Sequence, residues 1–358
     1  MKLLIQPGDG PEALLSGIRN ARKSIEIAIF RFDRAEIEAG LKAAVGRGVS
    51  VSALIAYTNR GGEINLRKLE MRLLEVGVAV SRTADDLVRY HDKMMIVDRR
   101  LLYVLSFNFT HLDIDHSRGF GIVTRNARSI QEAVKLFEAD TTRNPYTSTL
   151  NTFVVSPANA RKVLGAFIRG AKKQLLIYDP KIADAEMLRA LTERAKAGVE
   201  VKIIGRVSKQ IPALEVRNLA KLRLHTRTII RDCRQASIGS QSLRTAELDS
   251  RREVGIIVRE PKVLNGLIKT FEADWAASAV ETQQQTDVNL ADIKKATKGL
   301  VKELSLLNPI VKEALKAAES ETEPSLNPQE MKATVKEAVK EAVRERVDEM
   351  VKESLEES

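Results

Sequence analysis

The chain holds a single cysteine, Cys233. One thiol cannot build a disulfide framework or a cysteine-rich zinc site, and it suits a reducing compartment. Aromatic residues make up 4% of the chain, which leaves few rings for stacking unpaired bases. No run approaches 18 apolar residues, so no membrane-spanning helix is expected. The opening MKLLIQPGDG lacks the long apolar stretch of a secretory signal. A cytoplasmic location is therefore expected, peripheral contact with the inner membrane face being compatible with it. Histidine is scarce as well, with four in 358 residues.

Positive charge is in excess, and it is unevenly spread. Residues 287–358 hold 12 Lys/Arg and 16 Asp/Glu. The first 286 residues therefore hold 46 of the 58 basic and 32 of the 48 acidic groups, a net of +14. Such a body favours anionic partners, either phosphate backbones or anionic lipid surfaces, with ordinary solubility as the plain alternative. Hydrophobic residues reach 44%, and the length suffices for two domains with real cores.

The organising feature is an internal repeat. The stretch RYHDKMMIVDRRLLYVLSFNFTHLDIDHSRGFGIVTRN from Arg89 recurs as RLHTRTIIRDCRQASIGSQSLRTAELDSRREVGIIVRE from Arg223, at a constant offset of 134. His91 maps onto His225, Asp98 onto Asp232, Ser106 onto Ser240 and Asp115 onto Asp249. Upstream the match continues at offset 150. Strand-like segments rich in Val and Ile occur at 24–30 and 49–57, and again at 173–179 and 199–205. Leu66, Leu69, Leu73 and Val76 form a helical stripe that ends at Gly77. Three parts are expected: a first α/β repeat over 1–146, a second over 147–286, and an acidic, helical, partly flexible tail over 287–358. In the tail, valines 335, 339, 343, 347 and 351 recur at i+4, a narrow stripe suited to self-association through this C-terminal helix or to a solvated helix.

The first copy reads as a β-hairpin with a four-residue turn at 98–101. His91 then faces Asn108, Lys93 faces Ser106, and all four share one face. In the second copy His225 faces Ser242 and Arg227 faces Ser240. Asp98 and Asp232 start the turns, where a carboxylate can cap backbone donors. Two clusters of imidazole, cation and hydroxyl or amide suit a phosphodiester. A neutral histidine can attack phosphorus, a second can protonate the leaving oxygen, and Lys93 and Arg227 can hold the non-bridging oxygens. His111 and His116 have no counterpart in the second copy and read as structural.

HDKMMIVD at 91–98 followed by SFN at 106–108, with its echo from His225, resembles the signature of the phospholipase D superfamily, and most of all its bacterial cardiolipin-synthase-like branch. The resemblance covers about residues 1–280. It implies two duplicated α/β lobes, each a mixed sheet flanked by helices, related by a pseudo-twofold axis and sharing one site. It implies a metal-free and cofactor-free two-step reaction through a phosphohistidine, with His91 as nucleophile and His225 as general acid, then base. The family often carries a glutamate 28 residues after each histidine to orient the imidazole. The second copy has Glu253 there, which makes His225 the better-oriented partner. The first has Gly119, so that either Asp113, Asp115 or Ser117 orients His91 or His91 is less well poised. Arg227 and Ser242 stand where the family has lysine and asparagine.

Three activities are compatible with these residues. The first is hydrolysis or transfer of the phosphatidyl group of a phospholipid. The second is cleavage of nucleic acid, for which the Arg60-Gly61-Gly62 loop and Arg99-Arg100 are candidate contacts. The third is a catalytically weak phospholipase D-like scaffold.

Overall fold

The computed structural model describes residues 1–57, 63–209, 211–219 and 221–280. The acidic segment 287–358 with its valine stripe, and the Arg60-Gly61-Gly62 loop, lie outside the described residues. Residues 1–281 form one compact unit, and its two halves repeat one chain path.

The first half runs β1 (Lys2–Gln6), α1 (Glu12–Asn20), β2 (Ser24–Ala28), α2 (Ala35–Gly46), β3 (Ser50–Ile55), α3 (Glu63–Glu75), β4 (Ala79–Arg82), β5 (Arg89–Tyr90), β6 (Met94–Val97), β7 (Leu101–Leu105), α4 (His111–Asp115), β8 (Ser117–Thr124) and α5 (Ala127–Thr142). The second runs β9 (Phe153–Ser156), α6 (Ala160–Arg169), β10 (Gln174–Ile182), α7 (Ala185–Lys196), β11 (Glu200–Val207), β12 (Glu215–Asn218), β13 (Arg223–Leu224), β14 (Arg227–Arg231), β15 (Gln235–Gly239), α8 (Thr245–Asp249), β16 (Arg251–Val258), α9 (Pro261–Ala277) and β17 (Ala279–Val280).

The first sheet is ordered β1-β8-β7-β6-β2-β3-β4, and the second repeats it as β9-β16-β15-β14-β10-β11-β12. Both sheets are mixed: β2·β3·β4 and β10·β11·β12 are parallel, and the hairpin strands are antiparallel. Strands covered on both faces read as nearly continuous apolar runs, which is why SALI and IEIA in the first half, and LLIY in the second, were legible as strands. Leu66, Leu69 and Leu73 are buried as the stripe demands, and Gly77 takes the left-handed backbone (φ 85°) that ends the helix. Each sheet covers its outer face with its own helices. The inner faces of both sheets share a central apolar core with α5 and α9, in which Met94, Val104 and Phe120 join Tyr178, Ile238 and Phe271.

The hairpin register differs by one residue from the sequence expectation, in both copies. Met94 pairs with Val104 rather than Leu105, and Arg227 pairs with Gly239 rather than Ser240. The connection is three residues long, not four. Asp98 and Arg99 (φ 52° and 51°), like Asp232 and Cys233 (φ 53° each), adopt consecutive left-handed conformations. A backbone bond from Arg100 N–H to Val97 O, and from Arg234 N–H to Arg231 O, closes each turn at 3.0 Å. Left-handed backbone costs a non-glycine residue about 1–2 kcal/mol, and the aspartates are held by long-range contacts. Asp98 accepts from the N–H groups of Arg22, Lys23 and Ser24, and Asp232 from those of Lys172, Lys173 and Gln174. Each therefore caps backbone donors, as expected, but on the loop before β2 or β10 rather than in its own turn.

One pair of elements leaves its own half. The two-residue strand β5 pairs in parallel with β16, and its equivalent β13 pairs with β8. Each segment that leads into a histidine is thus laid on the other repeat's sheet. The exchange is reciprocal, as a twofold relation requires. His91 N–H donates to Arg252 O at 2.8 Å, and His225 N–H donates to Arg118 O at 3.2 Å.

Candidate active site

The exchanged strands bring His91, Lys93, His225 and Arg227 to the junction of the two lobes, where each lies within electrostatic reach of the other lobe's cation. The two copies are built alike. Lys93 Nζ donates to His91 O at 2.7 Å, and Arg227 Nη1 donates to His225 O at 2.6 Å. Arginine thus makes the same anchoring bond as lysine, and its Nε is buried with no hydrogen-bond partner among the described residues.

Glu253 does not orient the histidine of its own repeat. Its carboxylate lies 2.9 and 3.1 Å from Nδ1 of His91, in the other repeat. His91 accordingly has none of Asp113, Asp115 or Ser117 as its partner. Asp113 lies instead beside His225, with Oδ2 3.5 Å from Nδ1, a contact that lacks hydrogen-bond geometry. Asp115 is exposed and paired with Arg34 and His111. Ser117 Oγ donates to Leu112 O at 2.8 Å and accepts from Arg223. The expected asymmetry is therefore inverted, with His91 firmly oriented and His225 loosely. The physical reason is the exchange of β5 and β13, which carries each histidine to the carboxylate of the opposite copy.

The expected phosphate ligands among the hydroxyls and the amide are tied up internally. Ser106 Oγ accepts from Phe120 N–H at 2.9 Å, and Ser240 Oγ accepts from Val254 N–H at 3.1 Å, joining adjacent strands. Asn108 donates from its backbone and from Nδ2 to Asp113 at 2.8 and 2.7 Å, and its Oδ1 accepts from Arg31 N–H. Ser242 N–H donates to Glu247 at 2.8 Å, and its hydroxyl donates to Asp179. These residues shape the loops that hold Asp113 and Glu247, which are themselves equivalent at offset 134.

Burial governs the ionisation of this cluster. Both imidazoles are held well below their ordinary pKa, first by burial, then by Lys93 and Arg227 at His91 and by Arg227 at His225. Both are neutral at neutral pH. Burial also pushes Lys93 down to about 7 and Glu253 up to about 7. For Asp113, burial is outweighed by His225 where it is protonated, and by the Asn108 donors and Arg223 throughout, and its carboxyl is held below the usual range. With Glu253 accepting at Nδ1, the His91 proton sits on that nitrogen, and the lone pair of Nε2 is available. Phe30 packs edge-on to the His91 ring at 4.9 Å and fixes its plane.

Buried bidentate pairs brace the junction. Arg118 binds Asp274 at 2.7 and 2.9 Å, and its equivalent Arg252 binds Asp140 at 2.9 Å through both nitrogens. Each arginine again reaches the opposite repeat, and each also supplies the carbonyl that accepts from a histidine N–H. Arg99 is paired with Glu26 and Glu138, so it is already engaged within the protein.

The sequence family described as "cardiolipin synthase, PLD-like domain" matches residues 14–141 and 164–275. No curated protein matches the chain. Among solved structures, phosphatidylserine synthase from Haemophilus influenzae Rd KW20 superposes with a TM-score of 0.61 at 12% identity, over 85% of this chain and 93% of that one. Polyphosphate kinase from Porphyromonas gingivalis superposes with a TM-score of 0.64 at 18% identity, over 76% of this chain and 50% of that one. The chain thus spans about half the length of that kinase. At these identities the likeness is one of fold.

Proposed function

The chain belongs to the cardiolipin synthase, PLD-like domain family, and from that premise we propose that it is a phosphodiesterase acting on the phosphatidyl group of a phospholipid, by hydrolysis or transfer through a phosphohistidine. The observation that carries the proposal is the Glu253–His91 bond, which prepares a neutral imidazole with its nucleophilic nitrogen free. In the first step Nε2 of His91 attacks phosphorus and the P–O bond to the leaving alcohol breaks. His225 delivers a proton to that oxygen. The bound diester adds negative charge beside His225 and favours its protonated form before the step. Lys93 and Arg227 offset the charge that grows on the non-bridging oxygens. In the second step a water or alcohol attacks the phosphohistidine, His225 takes its proton, and His91 is released unchanged. No step calls for a metal.

The domain limits that accompany this reading are a first repeat to residue 146 and a second to residue 286. Peripheral contact with an anionic membrane face is consistent with the net charge of +14 over the first 286 residues. No helix among the described residues is long and apolar enough to cross a membrane. The same charge supports a second reading, cleavage of nucleic acid. The deciding experiment assays the purified protein in parallel on phosphatidylcholine, phosphatidylglycerol, and single- and double-stranded DNA, with His91→Ala as control. Release of a head group that His91→Ala abolishes is expected, and DNA cleavage without lipid turnover would replace the first reading by the second.

A further inference from the structure

The two sides of the site differ in how they treat an equivalent arginine. On the His225 side, Arg223 is registered against Ser117 across the parallel pair β13·β8. It donates to Ser117 Oγ at 3.1 Å and to Asp113 at 2.7 Å. On the His91 side, Arg89 is registered against a second arginine, Arg251, across β5·β16. Like charges directly opposed on a sheet are destabilising, so this pairing has a cost that its counterpart avoids.

A third guanidinium completes the group. Arg89 and Arg31 both lie over the ring of Phe30, at 5.2 and 5.7 Å from its centroid, and Phe30 is the ring packed against His91. Glu247, the counterpart of Asp113, accepts from Arg251 Nη1 at 3.1 Å and offsets part of this charge, but one carboxylate is shared among several guanidinium groups. Its Oε1 faces both Arg244 and Arg251, and its Oε2 accepts from Ser242 N–H. Arg251 keeps a buried Nε with no hydrogen-bond partner among the described residues. Burial, then Arg251 and Arg31, hold the Arg89 guanidinium below its ordinary pKa, and Glu253 and Glu247 offset this only in part.

We infer that Arg31, Arg89 and Arg251 form a second phosphate subsite on the His91 side, holding a phosphate group next to the one that reacts. Planar guanidinium forks suit phosphate oxygens, and an anion here relieves the repulsion among the three. The inference rests on the proposed phosphodiester chemistry and narrows it. The second phosphate belongs either to a soluble polyanionic substrate or to a neighbouring phospholipid head group at a membrane surface.

The test measures binding by the full chain and requires no turnover. Calorimetry compares inorganic phosphate with inorganic tripolyphosphate, and co-sedimentation compares vesicles of phosphatidylcholine with vesicles that also contain phosphatidylglycerol. Three proteins are used: the parent chain, Arg31→Ala/Arg89→Ala, and Arg31→Glu. Arg31 is exposed, so its charge reversal leaves the fold intact and decides the matter if the double variant fails to fold. For a soluble polyanion, tripolyphosphate binds the parent at least about tenfold tighter than phosphate, a difference of about 1.4 kcal/mol, and both variants lose that preference. For a neighbouring lipid, the arginine dependence appears instead in the binding of phosphatidylglycerol vesicles. Binding that is unchanged in the variants in both arms overturns the subsite. Arginine-dependent binding by a parent chain that hydrolyses no diester would instead count against the catalytic reading alone.

Discussion

Glu253 of the second repeat bonds Nδ1 of His91 in the first, at 2.9 Å, across the junction of the two lobes. The bond makes the oriented histidine a joint product of both copies.

Glu253→Gln can present Nδ1 with the wrong partner atom and lets the imidazole take the other tautomer. The expected loss in kcat for diester hydrolysis is about 10²- to 10⁴-fold, with little change in KM. Steady-state kinetics of the purified variant read this directly, and a loss confined to KM contradicts the role.

The free protein should show a narrow bell in kcat/KM near neutrality. As pH falls, Glu253, pushed up to about 7, takes a proton and ceases to accept from Nδ1. As pH rises, Lys93, pushed down to about 7, loses the charge that faces the phosphate. A pH–rate profile tests this, and Glu253→Gln should flatten the acid limb and move the basic one to lower pH, because the Glu253 charge supports the protonated form of Lys93.

His91→Ala should abolish turnover. His225→Ala should slow the second step and let a covalent intermediate accumulate, visible as a phosphoramidate adduct in the intact mass at alkaline pH. Turnover in EDTA should match that without it. Hydrolysis by purified His91→Ala is the result that removes the nucleophile assignment.

Arg227→Lys should change kcat/KM by less than about tenfold, because Lys93 already makes the bond in question with an ammonium group. A larger gain would mean that the arginine marks a weakened site.

Asp98 and Asp232 each hold three backbone N–H groups, and burial fails to offset those donors, so both carboxyls lie below the ordinary 3.8. Groups with depressed folded-state pKa contribute stability that is complete above the unfolded value and is lost as pH falls through the folded one. Melting temperature should therefore drop below about pH 4, and Asp98→Asn should cost about 1–3 kcal/mol near pH 7 and weaken that acid dependence. Thermal melts across pH 2–7 check both expectations.

Much of this was legible in the sequence because the repeat is gapless where the chemistry lies. The offset of 134 selected two of four histidines, their cations and the turn aspartates, and the apolar runs gave the central strands. Register was missed by one residue because a pair of left-handed non-glycine residues leaves no mark in the sequence at Asp98-Arg99 or Asp232-Cys233. The partner of Glu253 was missed for another reason. An alignment of copies places a carboxylate with its own histidine, and a two-residue strand such as β5 has no periodicity to announce that it crosses over. The Arg118–Asp274 and Arg252–Asp140 pairs share that limit: the four positions align at offset 134, but nothing in the alignment states that each arginine reaches the other copy's aspartate. The carboxylates at 113 and 247 were also alignable, and their equivalence was the available signal for the partner of His225.

The crossing of β5 and β13 has a consequence for how such a chain can vary. Either half expressed by itself would present its histidine with no opposite sheet and no opposing carboxylate, and could complete the geometry only by joining another copy of itself. The chain is thus a tethered homodimer in design. Lysine at 93 against arginine at the equivalent 227, and glycine at 119 against glutamate at the equivalent 253, are differences that no self-pairing half could hold on one side alone.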